Sequence, residues 1–267
     1  MAADYVHGYT SREERRLGDQ AGSLAELLHW DQRYVAGERV LEAGCGVGSQ
    51  TVFLAANSPE AHFTSIDREE DQLSAARAAV EAGGFKNVTL ELGDIFNLTY
   101  APASFDHVFV CFVLEHLKDP EGALTHLKRM VKPGGSMTVI EGDHGSTFFS
   151  PQSALAQAAV DGLIEAQARM GGDSLIGRRL YPLLSGAGLK ELTVSPRFVY
   201  VDNSRPMLEE GFTRNTFAAM VEGAREEILA MGLMDAVGFD QGVRDLYGAT
   251  GPEGVFCYTF FKGVGLV

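Results

Sequence analysis

The sequence predicts an α/β fold built on a largely parallel sheet. Three observations carry that expectation. Short apolar runs alternate along the chain with segments of helical period. The run Arg39-Val40-Leu41-Glu42-Ala43 passes through three alternate glycines, Gly44, Gly46 and Gly48, into the apolar-periodic segment Thr51 to Ala56, reading as buried strand, tight turn and helix. Phe105 to Leu114 is nearly continuous apolar, as a central parallel strand buried on both faces should be.

Residues 1–10 form a polar and aromatic arm containing Tyr5 and Tyr9. Ser11 with Glu14 reads as a capping box, after which Leu17, Ala21, Leu24 and Leu28 recur at helical spacing. The glycine turn follows. Glycines suit it because the bend needs unusual φ/ψ and because a Cβ would hold a ligand off the backbone. Amides at the head of the next helix would then face the ligand. Ala61 to Ile66 is a second strand closing on Asp67, 67 − 48 = 19 residues after the last glycine. A helix with Leu73, Ala76 and Val80 on one face stops at Gly83-Gly84. Asn87 to Leu92 is the third strand, followed by Gly93-Asp94-Ile95, where Asp94 suits an Asx turn or helix cap. Asp119-Pro120 opens a helix to Val131, and Lys132-Pro133-Gly134-Gly135 turns into a strand over Ser136 to Glu141.

Beyond that strand stands Glu141-Gly142-Asp143-His144-Gly145-Ser146. Asp143 and His144 read either as a base and its orienter, since imidazole titrates near neutrality, or as turn and capping groups before the helix signalled by Ser150-Pro151. A helix over Pro151 to Met170, a strand over Leu192 to Val201, an insertion over 202–254 with helical patterns around Phe212 to Met231, and a last strand from Val255 complete the chain. The expected organisation is a single domain over 1–267, with an N-terminal arm or lid at 1–36 and a helical cap at 202–254.

The 267 residues carry 22 Lys+Arg against 36 Asp+Glu, a net charge of -14. Such a surface argues against a nucleic-acid partner. No apolar stretch approaches the roughly 20 residues needed to span a bilayer, and Met1 to Tyr5 lacks a signal-peptide pattern. Cys45, Cys111 and Cys257 have no ligand spacing, so no metal is expected. A cytoplasmic protein follows, monomeric or homodimeric.

The spacing E-x-G-x-G-x-G differs from the G-x-G-x-x-G of dinucleotide-binding turns, and an acid before the first glycine would repel a pyrophosphate while suiting a cationic amine. With Asp67, Gly93-Asp94-Ile95, Phe105-Asp106-His107-Val108 and Lys132-Pro133-Gly134-Gly135, the chain resembles the class I S-adenosylmethionine-dependent methyltransferases, nearest the ubiquinone/menaquinone branch, although its ends look unlike the quinone enzymes. The resemblance implies a Rossmann-like seven-stranded sheet of order 3-2-1-4-5-7-6, the last strand antiparallel, with helices on both faces. It implies S-adenosyl-L-methionine as cofactor, held by Tyr9, Glu42, Gly44, Cys45, Gly46, Gly48, Asp67, Arg68, Asp94, Ile95, Cys111 and His116. Asp67 would take the ribose hydroxyls and Asp94 the adenine amine, with Asp106 structural. The function expected is methyl transfer to the O, N or C of a small-molecule acceptor, with His144 and Asp143 as the catalytic candidates. A protein side chain as acceptor and a non-catalytic S-adenosylmethionine-binding protein are the alternatives. An NAD-dependent dehydrogenase is disfavoured by the glycine spacing.

Overall fold

The computed structural model describes residues 24–267. The capping box and both arm tyrosines, Tyr5 and Tyr9, lie outside the described residues. Residues 24–29 form helix α1, whose Leu24 and Leu28 are fully buried.

Seven strands form one sheet: β1 (Arg39–Ala43), β2 (His62–Asp67), β3 (Val88–Leu92), β4 (Phe105–Cys111), β5 (Val131–Ser150), β6 (Lys190–Asp202) and β7 (Val255–Leu266), in the order β3-β2-β1-β4-β5-β7-β6. The pairs β3·β2, β2·β1, β1·β4 and β4·β5 are parallel. β7 runs against β5: Gly134 and Gly135 exchange backbone bonds with Val267, whereas Ser146, further along β5, accepts from the Thr259 amide. The parallel strands are connected by α2 (Ser49–Asn57), α3 (Glu70–Ala82) and α4 (Pro120–Lys128). Asp119 caps α4 by accepting from the Gly122 amide, and Pro120 fills its first position, where a missing N–H costs nothing.

Two compact units are distinguished. One comprises residues 25–141, 176–196 and 261–267; the other comprises 142–175 and 197–260 with Leu24. In the first, Leu41, Ile66, Val108, Val110, Leu124 and Met137 belong to one buried cluster, with Leu180 and Leu184 of α6 (Leu180–Gly186). Asp106 is structural, as expected: its carboxylate accepts from the Arg39 amide at 2.9 Å and from Lys132 Nζ at 2.6 Å. Burial works to raise its pKa, yet these two donors hold it below the ordinary carboxylate range.

The second unit holds α5 (Ala154–Arg169), α7 (Pro206–Leu208), a π-helix (Glu209–Ala218), α8 (Ala219–Gly223), α9 (Arg225–Ala230) and α10 (Ala236–Tyr247). The insertion over 202–254 is thus helical, as its periodicity predicts. Its α10 packs against α5, closely enough that a Cβ on Gly242 would lie 2.3 Å from the Leu155 carbonyl oxygen. Phe212 and Phe217 pack edge-on or tilted against Phe256 and Tyr258 of β7, and Phe260 joins them through Phe212 and Tyr258, in an aromatic core with ring centroids 4.7–5.9 Å apart.

Several boundaries differ from expectation: α4 ends at Lys128 instead of Val131, and β4 ends at Cys111 instead of Leu114. β5 begins at Val131 and absorbs the Lys132-Pro133-Gly134-Gly135 turn as a register irregularity, with Gly134 at φ +82°. It then continues past Glu141 to Ser150, because β7 supplies it with a partner. α5 starts at Ala154 instead of Pro151, capped by Ser153 Oγ on the Ala156 amide. No helix among the described residues is long and apolar enough to cross a membrane.

Candidate active site

Gly44, Gly46 and Gly48 all adopt positive φ, +79°, +52° and +79°, which explains the residue type at each. Their surroundings separate their roles. A Cβ on Gly44 would strike Val113 at 2.5 Å, and one on Gly48 would touch the backbone of Ala76 in α3 at 3.0 Å, so these two permit packing. A Cβ on Gly46 would find nothing nearer than Gln72 Oε1 at 3.9 Å, leaving that face of the turn open to a ligand.

The amides of the turn are mostly bonded within the protein. Gly44 and Cys45 donate to the Ile66 carbonyl, Gly48 to Cys45, and Gly46 to Asp67 Oδ2 at 2.8 Å. The amides left to a ligand belong to the head of α2, which has no side-chain cap. Asp67 also accepts from the Glu69 amide at 3.0 Å, so its carboxylate stands across the turn, fixed at both oxygens.

Glu42 departs further from expectation. It is 2 % exposed, and its Oε2 accepts from Thr51 Oγ1 at 2.7 Å and Ser65 Oγ at 2.6 Å. Burial pushes its carboxyl up to about 7 against the help of those two hydroxyls. It braces β1 against α2 and β2, a role the strand position alone does not reveal.

Asp94 caps a short 3₁₀ turn, Ile95–Asn97, through Oδ1 on the Phe96 amide and Oδ2 on Asn97 Nδ2, as the capping alternative requires. It is exposed beside a hollow of about 350 Å³ that Arg68, Gly93, Asn97, Leu98 and Tyr100 also line. Arg68 pairs with Glu69 at 3.2 Å, and Ile95 is buried. Cys45 and Cys111 are buried thiols whose pKa burial pushes up, so neither is a nucleophile at neutral pH. His116 pairs with Glu115 at 3.4 Å on the loop beyond β4.

That loop starts with Phe112 at φ +59°, an uncommon conformation for a non-glycine residue. Glu141, unremarked as a site residue in the sequence, holds it. Its Oε1 accepts from the amides of Val113 at 3.0 Å and Leu114 at 2.7 Å. Burial, reinforced by the charge of Glu115, pushes its carboxyl well above the ordinary range. The contact of Val113 with Gly44 then links the end of β5 to the glycine turn.

In the second unit, Asp143 and His144 are both buried. Consecutive strand residues face opposite sides, and Asp143 Oδ1 accepts from the Gly145 amide at 3.1 Å. His144 Nδ1 instead meets Tyr258 Oη at 2.8 Å, and its amide donates to the Ser174 carbonyl. Gly142 makes room for this phenol, since a Cβ there would lie 2.2 Å from Tyr258 Oη. Tyr258, 114 residues away in sequence, carries no local signal of this pairing. Among the described residues no group of His, Cys, Asp and Glu is placed to hold a metal ion.

A parallel sheet with this strand order, its last strand reversed, and a side-chain-free turn facing an aspartate at the end of β2 define the class I S-adenosylmethionine-dependent methyltransferases. S-Adenosylmethionine is the cofactor of that class. The open face of Gly46 and the carboxylate of Asp67 fit it. Comparison with known proteins agrees. Residues 35–188, more than half the chain, match the model of a methyltransferase domain, and the chain belongs to that family. It is 33% identical over 190 residues to an uncharacterized 37.1 kDa protein in a transposon of Streptomyces fradiae, covering 70% of this chain and 54% of that protein. It is 32% identical over 110 residues to demethylmenaquinone methyltransferase of Listeria welshimeri, covering 41% and 47%. The chain spans about half the length of the curated relatives it matches. Among solved structures, the YcgJ protein of Bacillus subtilis superposes with a TM-score of 0.57 at 15% identity, covering 92% of this chain and 97% of that one. A Haemonchus contortus phosphoethanolamine N-methyltransferase crystallised with S-adenosylhomocysteine gives 0.57 at 18%, covering 96% and 58%. At such identities these two attest the fold alone.

Proposed function

We propose that this protein transfers the methyl group of S-adenosylmethionine to an O, N or C atom of a small-molecule acceptor by in-line displacement. The observation that carries the reading is the open turn at Gly46 faced by Asp67. The names of two relatives, demethylmenaquinone methyltransferase and the methyltransferase GfsG of Streptomyces halstedii, support a small acceptor. When bound, the cofactor supplies a methyl group on a sulfonium, a good leaving group. The chain's own residues therefore have to bind, orient and exclude water, and positioning alone can supply effective molarities of about 10⁵–10⁸ M.

Gly46 leaves space for the cofactor, Asp67 accepts from its ribose, and Asp94 and Ile95 flank its base. Val113, seated on Gly44 and held through Glu141, keeps the loop beyond β4 in place. His144, paired with Tyr258, takes the proton of an acceptor that is not already ionised. The protein acts in the cytoplasm, as a monomer or homodimer, without nucleic-acid or membrane partners.

Calorimetric titration with S-adenosylhomocysteine tests the cofactor site. Asp67→Ala removes charge-assisted hydrogen bonds worth about 1.5–3 kcal/mol each, so its affinity should fall by at least about tenfold. Unchanged affinity would refute the ribose assignment. His144→Ala should leave that affinity nearly intact and lower turnover by about 10²–10⁴-fold with the acceptor identified by labelled-methyl transfer. An unaltered rate removes His144 as the base.

A further inference from the structure

The second unit carries a group of buried polar side chains that its own fold does not satisfy. Both ends of the Gln167 amide, Ser174 Oγ and Thr213 Oγ1 have no hydrogen-bond partner, although these residues are only 2 %, 1 % and 0 % exposed. Buried polar groups are ordinarily paired, and each exception needs an occupant or a reason. A carboxamide with all its hydrogen-bonding capacity unused is a costly arrangement for packing alone.

Ser174 and Thr213 belong to segments that meet the His144–Tyr258 pair, and Gln167 belongs to the helix that leads into Ser174. The His144 amide donates to the Ser174 carbonyl at 2.9 Å. Gln167 stands in the last turn of α5, from which the chain leads to Ser174, and its carbonyl accepts from the Gly172 amide. Thr213 lies between Phe212 and Phe217 on the buried face of the π-helix. Both of those rings meet Tyr258 edge-on, and Phe217 also meets the His144 ring edge-on at 5.7 Å. A π-helix is rare and recurs at functional sites. Here it puts Phe212, Thr213, Thr216 and Phe217 together on one buried face.

We infer that Gln167, Ser174 and Thr213, walled by Phe217, Tyr258 and His144, form a recognition site for a flat, uncharged, oxygenated ring bearing at least two hydroxyl or carbonyl groups, the phenol or enol class. The inference rests on the methyltransferase reading for calling this ligand the acceptor. The aromatic walls select a planar ring. The amide of Gln167 offers both a donor and an acceptor, and the two hydroxyls offer more of each; Gln167, Ser174 and Thr213 bring no charge to balance a carboxylate or an ammonium. An acceptor hydroxyl in this site presents its proton to the imidazole of His144.

The test uses the full chain and fluorescence titration with 2,6-dihydroxynaphthalene, with naphthalene and 2-naphthoate as controls. Saturable binding of the diol, at least about tenfold tighter than either control, is expected from the loss of paired buried groups in the wrong ligand. Gln167→Leu and Thr213→Val should each weaken diol binding by about tenfold or more, while the melting temperature holds or rises, because each replaces a polar group that had no partner. Ser174→Ala serves as a third probe should one of these fail to fold. Equal binding of naphthalene, no binding of the diol, or diol affinity indifferent to the substitutions overturns the inference; lowered melting temperatures with unchanged affinity identify the site as water-filled and overturn it too. Titration with S-adenosylhomocysteine is run in parallel. Its failure strikes the methyltransferase reading, whereas diol binding that survives leaves the recognition site standing.

Discussion

Glu42 shows how a single side chain makes folding depend on pH. Its carboxyl is pushed up from 4.5 to about 7 by burial. Below about 4.5 it is neutral in both folded and unfolded chains. As pH rises, the unfolded chain ionises first, so stability is lost progressively until the folded carboxyl also ionises near 7. At 1.36 kcal/mol per unit the loss is about 3 kcal/mol. Glu42→Gln keeps an oxygen for Thr51 and Ser65 without the titration. Its stability relative to the native chain, measured by denaturant unfolding, should improve by about that amount between pH 4.5 and 7.5. A pH-independent difference would show that Glu42 does not titrate in that window. The acid itself was legible in the sequence from its place before Gly44. Its role was not, because the two hydroxyls that face it come from Thr51 and from Ser65 on a neighbouring strand.

At the level of elements, the glycine turn and the loop beyond β4 act as one piece. Gly44→Ala would force an L-residue to φ +79° and drive its Cβ into Val113. The two effects should cost about 2–4 kcal/mol together, read as a loss of roughly 4–16 °C in melting temperature if the strain and the overlap add. A shift under about 2 °C would mean that the loop yields and that Val113 is not a fixed contact. Strand, turn and helix were readable here because glycine spacing and hydrophobic period are local properties. The π-helix at 209–218 was not, since its one-residue-wider turn leaves the apolar pattern close to that of an α-helix. The extension of β5 to Ser150 was hidden for another reason: it depends on β7, more than a hundred residues later. The pairing of His144 with Tyr258 escaped for that same reason.

Across the whole molecule, composition governs the company the protein keeps. With 36 acidic against 22 basic side chains it repels polyanions at long range. Basic nucleic-acid binders hold duplex non-specifically at about 1–100 µM. This chain should give no mobility shift with duplex DNA or RNA at low salt over that range, and a clear shift would overturn the exclusion. The order of the sheet was likewise accessible, through motifs that arrive in the family's sequence.

The placement of β7 between β5 and β6 bears on how the molecule is made. During synthesis the strand that sits between the other two in that half of the sheet leaves the ribosome after both of its neighbours. Until residue 266 has emerged, β5 and β6 each keep an edge of unpaired amides and carbonyls, which is an invitation to mispair with other nascent chains. A chain cut short at 254 would keep both edges open for good and should collect in the insoluble fraction.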